Sequence, residues 1–292
     1  MSPITQISAT DWTAAVSPEL QRTAVAALED GHVVLLPELR FKLSDGESRF
    51  LTPDLVGGSK NVSYNIATGK IGHCMCAEAD KPAVTTMMDR FAKQARGMVE
   101  RLFPAYLPKL TMGRTSLRPV EAAGRAASWR KDDTRLHVDS FPTTPVNGKR
   151  ILRVFANVNP AGRPRCWRVG EPFAQVSSRF LPSIPPPPFG SRTLMQVFRV
   201  TRGRRSLYDH YMLGLHDAMK ADDTYQKTCP QTNVDLPSGS TWMVFTDSVP
   251  HAVTSGQHQF EQTFYLEADG MTQPEKSPLR ILEKQLARNL RN

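Results

Sequence analysis

His137-Val138-Asp139 sets an imidazole and a carboxylate two positions apart, just ahead of the apolar-rich run "KRILRVFANVNP". In a strand that spacing points both side chains to one face, so both can bind one ion. With a second, distant histidine they make the facial triad of non-haem iron(II) oxygenases, which leaves coordination positions open for a cosubstrate and oxygen. "LPSGSTWMVFTDSVPHAVTSG" supplies that histidine: a turn, an apolar strand, a short polar loop, then His251 entering another strand. The other histidines fit less well. His210 and His216 are six apart on a helix and share no face, His32 belongs to a buried strand, and His258 falls at a turn. Zinc hydrolysis by the same three ligands stays open. The motifs GxSxG, GxxxxGK[ST], HExxH and GxGxxG are absent, so hydrolase, nucleotide and zinc-protease readings lack their signatures.

The elements around these residues suggest how they could be positioned. "SPELQRTAVAALEDGH" reads as a helix with Ser17 as N-cap, Pro18 at the first helical position and Gly31 as the stop, feeding a buried strand in "HVVLLP". A second helix runs from about Lys81 to Phe103, where Val84, Met88, Phe91, Ala95, Met98 and Leu102 form one apolar face. From Leu110 to Leu266 the pattern turns to short strands: "LTMGRTSLRP", "KRILRVFANVNP", "PRCWRVGEPF", "TLMQVFRVT", "GSTWMVFTD" and "FEQTFYLEA". Such spacing predicts a sandwich or jelly-roll barrel. A helix in "SLYDHYMLGLHDAMKAD" interrupts it, with Ser206 and Asp209 spaced as a capping box, and "LPSIPPPPFG" at 181–190 reads as a stiff extended loop. At the end, "SPLRILEKQLARNLRN" predicts an amphipathic helix with Leu279, Leu282, Leu286 and Leu290 on one side and a basic row of Arg280, Lys284 and Arg288, continued by Arg291.

Composition narrows the function classes. The 292 residues are 40% apolar and 22% charged, a globular balance able to bury a sizeable core. No apolar run approaches the ~20 residues of a membrane-spanning helix, and "MSPITQISATDW" has no signal-peptide pattern, so a cytoplasmic protein is expected. Four cysteines, at 74, 76, 166 and 229, form no disulfide-like framework. A net charge of +9 favours a polyanionic partner: nucleic acid, anionic lipid or an acidic substrate. Scattered charges and the absence of a recognition motif disfavour nucleic acid.

The blocks "SKNVSYN", "SWRKDDTRLHVDSFPTTP", "RILRVFANVNP", "RCWRVGEPF", "WMVFTDSVPHAV" and "FEQTFYLEA" resemble the Kdo 3-hydroxylases over nearly the full chain. These are iron(II)- and 2-oxoglutarate-dependent dioxygenases that hydroxylate 3-deoxy-D-manno-oct-2-ulosonic acid (Kdo) of the lipopolysaccharide inner core. The resemblance implies an α+β fold with a double-stranded β-helix core (jelly-roll, cupin-like) and flanking helices. It implies one dioxygenase domain over 1–292: a helix-rich part to about 108, the jelly-roll over about 109–270, and the C-terminal helix at 278–291. It also implies that His137, Asp139 and His251 hold Fe(II), with 2-oxoglutarate and O2 as cosubstrates, and that Kdo2-lipid A or a related precursor is the acceptor.

One departure from the wider superfamily matters. Many members carry an arginine or lysine shortly after the last histidine ligand to bind the distal carboxylate of 2-oxoglutarate, yet no Lys or Arg lies between His251 and Glu275. Arg153, on the strand after His-x-Asp and in phase with Asn157, is the expected substitute, with Thr263 on the last strand adding a hydroxyl. Its competing role is a structural pair with a glutamate. For the anionic acceptor the candidates are Arg118, Arg130, Lys131 and the "RGRR" run at 202–205, with Ser128 and Lys60 as polar helpers. An acceptor in the inner membrane would make the basic C-terminal row a peripheral contact with the cytoplasmic leaflet. The alternatives are a 2-oxoglutarate oxygenase acting on another anionic substrate and a non-catalytic cupin-like binding module.

Overall fold

The computed structural model describes residues 2–125, 127–188 and 203–291. The expected strand in "TLMQVFRVT", the end of the proline-rich loop and Arg202 lie outside them. The first helix, α1 (Pro18–Glu29), starts where the Ser17 side chain accepts from the Leu20 N–H and Pro18 fills the first turn. Gly31 then takes φ +81°, a left-handed turn that a side chain would strain, and the chain drops into β2 (Val33–Leu36), buried along its whole length. The long helix α2 (Lys81–Leu102) buries the apolar face read from its spacing, including both methionines of that face. Phe91 sits at its centre, with ring centroids 5.2 Å from Phe41 and 4.9 Å from Phe260; truncating it to alanine would cost about 3–5 kcal/mol.

Eleven strands are described, completed by β1 (Ile4–Gln6), β3 (Val62–Asn65), β4 (Lys70–Gly72), β5 (Leu110–Arg118), β6 (Arg150–Asn157), β7 (Arg165–Gly170), β8 (Gln231–Leu236), β9 (Thr241–Phe245), β10 (His251–Ser255) and β11 (Gln259–Leu266). Eight form one sheet in the order β1-β2-β9-β6-β11-β5-β3-β4, and three form a second, β10-β7-β8. Pairing is antiparallel except for β1 with β2. The N-terminal part is therefore more than helical packing: it contributes four strands to the large sheet, of which the sequence pattern marked only β2. The other three are three or four residues long, too short for a periodicity to register.

Apolar side chains separate into three layers. The space between the sheets is filled by Phe155, Trp167, Trp242, Val244 and their neighbours. Behind the large sheet, α1 and α2 pack on its outer face. Behind the small sheet lie α3 (Phe173–Phe180), α4 (Leu207–Ala221), α5 (Asp223–Thr228) and α6 (Pro278–Leu286). The capping box at Ser206 and Asp209 forms as expected. The last helix is shorter than the expected 278–291. It stops at Leu286 because Ala287 turns left-handed at φ +49°, and the chain folds back so that the Leu290 carbonyl accepts from the Tyr208 N–H at 2.9 Å and its side chain is buried. No helix among the described residues is long and apolar enough to cross a membrane.

Candidate metal centre

Alternation along 136–139 separates two functions. Leu136 and Val138 are buried in the helix layer behind the small sheet, which turns His137 and Asp139 into the space between the sheets. Two clamps hold the segment there. His137 and His251 exchange both backbone hydrogen bonds, at 3.1 and 2.9 Å, forming an isolated antiparallel bridge, and the Asp139 N–H donates to the Thr246 carbonyl at 2.8 Å. The three candidate ligand atoms consequently lie within 4.8 Å of one another.

The imidazoles are oriented by the backbone. His137 Nδ1 lies 2.8 Å from the Arg135 carbonyl and His251 Nδ1 lies 2.9 Å from that of Val249. A carbonyl only accepts, so each Nδ1 carries the proton and each Nε2 keeps its lone pair for an ion. Burial, the neighbouring His251 and then Lys220 push His137 well below its ordinary pKa; burial lowers His251 as well. Both rings are thus held in the neutral form that binds metal. Burial alone would raise the Asp139 carboxyl, but the Arg153 guanidinium 2.8 Å away is the largest opposing influence, and the group is held well below the usual carboxylate range. Trp167 stacks on His251 at 5.1 Å, and His216 of α4 lies edge-on to His137 at 5.4 Å. A largely buried, acceptor-rich site of this kind suits a divalent cation with His₂Asp ligation.

The pocket at these ligands has a volume of about 60 Å³. Arg153 is inside it but already neutralised, paired with Asp139 and with Glu261 on β11. Arg165, at the start of β7, lines the same pocket and is 4% exposed. Its Nη1 donates to the Gly256 carbonyl at 2.6 Å, and no carboxylate forms an ion pair with it among the described residues. Burial, then Arg118, push its pKa down to about 10. Arg165 Nε, Trp167 Nε1, Arg153 Nε and Gln259 Oε1 are all buried here without a hydrogen-bond partner. Orphaned buried polar atoms are rare in folded proteins, and the three N–H donors among these suit an occupant that accepts hydrogen bonds, such as a carboxylate.

The other expected site residues are spread out. Asn157, though in phase with Arg153, lies away from the pocket: its amide donates to the Arg163 and Leu236 carbonyls and its Oδ1 accepts from the Asn159 N–H, bracing the end of β6. Thr263 pairs with Arg153 across the strands but opens into a neighbouring cleft. Arg118 reaches Glu261 at 3.0 Å and Asp133 at 3.7 Å. Lys60 binds Asp133 at 2.9 Å and the Lys131 carbonyl at 2.6 Å. Arg130 pairs with Asp217 at 3.2 Å and covers the Trp129 ring; Ser128 and Lys131 are exposed beside it. Arg165 and Glu261 escaped the sequence reading. The available signal for Arg165 was phase: it alternates in step with Trp167 and Val169, so an arginine occupies the apolar side of a strand.

A jelly-roll whose two sheets close over a buried His-Asp-His set is the architecture of the non-haem iron oxygenases. The chain belongs to the 3-deoxy-D-manno-oct-2-ulosonic acid (Kdo) hydroxylase family, whose model matches residues 11–289. It is similar to the solved Kdo hydroxylase KdoO, described as a non-haem Fe(II) α-ketoglutarate-dependent dioxygenase. The cobalt(II) complex of KdoO is 48% identical with a TM-score of 0.97, covering 99% of this chain and 97% of that one. The complexes with α-ketoglutarate and Fe(III), and with succinate and Fe(III), are each 47% identical with a TM-score of 0.96 and the same coverage. No match was found among the curated proteins.

Proposed function

We propose that this chain is an Fe(II)- and 2-oxoglutarate-dependent dioxygenase that hydroxylates C3 of a Kdo residue carried on Kdo2-lipid A or a related lipopolysaccharide precursor, giving D-glycero-D-talo-oct-2-ulosonic acid, succinate and CO2. Family membership supports the activity. The observation that carries the site is the convergence of three neutral or anionic donors beside a buried arginine that forms no ion pair with a carboxylate among the described residues. His137, Asp139 and His251 would hold the iron, which with 2-oxoglutarate and O2 supplies the oxidant that replaces C3–H by C3–OH.

The chain's own residues supply placement. The Arg135 and Val249 carbonyls fix both imidazoles, and Arg153 holds one carboxylate oxygen of Asp139. Arg165 is the residue assigned to the distal carboxylate of 2-oxoglutarate, in place of Arg153: an anion arriving there meets a guanidinium in no ion pair among the described residues and with Nε unpartnered, whereas at Arg153 it would have to displace Glu261. Trp167, Phe155 and Val253 wall the pocket and exclude water. The acceptor would be met at the cytoplasmic face of the inner membrane, where the exposed Lys284, Arg288 and Arg291 suit an anionic leaflet.

Purified protein incubated with Fe(II), 2-oxoglutarate, O2 and Kdo2-lipid A should add one oxygen atom to the Kdo residue with equimolar succinate, and His137→Ala should lose both iron binding and turnover. Full iron affinity and turnover in His137→Ala, or no oxygen insertion into any Kdo-bearing acceptor, would overturn the assignment.

A further inference from the structure

Beside the small metal pocket lies a cleft of about 420 Å³, within the roughly 300–1,000 Å³ usual for a small-molecule site. The two share Arg118, Arg153 and Glu261, so the guanidinium that touches Asp139 also faces the cleft. The cleft is lined from four neighbouring strands, β6, β11, β5 and β3. On β11, alternation brings Glu261, Thr263 and Tyr265 to it; on β5, Arg114, Ser116 and Arg118. Gly113 is what lets Tyr265 lie over β5, since a Cβ there would meet the ring at 3.0 Å.

The chemistry of the lining is mixed in a particular way. Glu261 is a buried carboxylate fixed between Arg118 and Arg153, an acceptor for hydroxyl groups. Tyr265, Ser116 and Asn65 add hydroxyl and amide groups, and Phe141 gives an apolar face. Arg114, exposed at the rim, lies 3.5 Å from the Ser63 hydroxyl and forms no ion pair with a carboxylate among the described residues. A polyhydroxylated ring with one carboxylate complements this set. At the rival location, the basic segment at 128–131, Arg130 is taken up by Asp217 and the Trp129 ring and the neighbouring Lys60 by Asp133, while Lys131 stands exposed on the surface. The cavity that Lys60, Arg125 and Asp133 enclose there is only about 20 Å³, room for water and not for a sugar.

We propose that this cleft is the sugar-acid subsite, with Arg114 binding the acceptor carboxylate and Glu261 and Tyr265 reading its hydroxyls. The inference rests on the Kdo hydroxylase reading and assigns residues within it. Arg114 is a substrate-binding group that leaves the metal and 2-oxoglutarate sites untouched.

The test is a cycle between enzyme and substrate, using Arg114→Met, Arg114→Lys, and acceptor whose Kdo carboxylate is a methyl ester. On the free acid, Arg114→Met should lower kcat/KM about ten- to hundredfold, mainly through KM, with Arg114→Lys in between. Iron and 2-oxoglutarate affinities should stay at wild-type values. Esterification should cost the wild type a similar factor and cost Arg114→Met little more, because both changes remove one interaction. Equal sensitivity of wild type and Arg114→Met to esterification would overturn the subsite. So would an increase in KM confined to Arg130→Met and Lys131→Met. If wild-type protein oxygenates no Kdo-bearing acceptor, the functional reading itself fails, which is a separate result.

Discussion

Arg165→Met separates the two arginines of the metal pocket. The guanidinium is 4% exposed, anchored by one hydrogen bond to the Gly256 carbonyl, and unpaired by any carboxylate among the described residues. If the distal carboxylate of 2-oxoglutarate completes this half-satisfied group, removing the arginine leaves a carboxylate in a small, largely buried pocket without its counter-charge. Breaking a buried pair from one side costs about 3–5 kcal/mol. At about 1.4 kcal/mol per tenfold, the Kd for 2-oxoglutarate should rise by between about two and three and a half orders of magnitude. Anaerobic titration of the Fe(II) protein, followed through the visible charge-transfer absorption of bound 2-oxoglutarate, measures this directly. Arg165→Lys should recover part of the loss, because it restores the charge without the two-pronged donor geometry.

The metal-free protein should respond in the opposite sense. Arg165 is held in its charged form against burial and against Arg118, so Arg165→Met should melt no lower than wild type without ligand. Unchanged 2-oxoglutarate affinity in a folded Arg165→Met protein would refute the assignment. A comparable loss in Arg153→Ala with iron affinity intact would return the anchor to Arg153.

Three further outcomes are expected. Arg153→Ala should weaken iron binding about 10- to 100-fold by equilibrium titration, since it releases the second oxygen of Asp139 while Glu261 keeps Arg118. Metal-free protein should lose stability as pH falls: burial depresses both His137 and His251, so the folded chain holds fewer protons than the unfolded one. That contribution is complete above about pH 6.5 and fades as pH drops toward the depressed folded-state values, and thermal melting across this window should be flatter for His137→Ala. At the C-terminus, Lys284→Glu with Arg288→Glu and Arg291→Glu should reduce sedimentation with anionic vesicles at low salt and leave the melting temperature unchanged. Deleting 278–292 would instead strip the buried Leu279, Leu282 and Leu290 from the helix layer and test folding.

Much of the architecture was legible because it depends on local periodicity and on chemistry that few residues perform. The spacing of His137 and Asp139, the apolar stripe from Val84 to Leu102 and the Ser206–Asp209 capping box all follow from the geometry of one strand or one helix. The C-terminal helix was read too long because the residue ending it, Ala287, is not one that usually takes a left-handed conformation.

By itself the sequence determined which residues could bind a metal, that a superfamily arginine was missing after His251, and that strands would dominate from Leu110 to Leu266. Only the tertiary structure decided which cation is free. Arg153 and Arg165 look equivalent as letters on strands, but long-range pairing sets Glu261 and Asp139 in ion pairs with one, while the other hydrogen-bonds the Gly256 carbonyl and forms no ion pair among the described residues. An unpaired charge is a property of everything packed around it, assembled from strands far apart in the chain, and no local pattern encodes that sum.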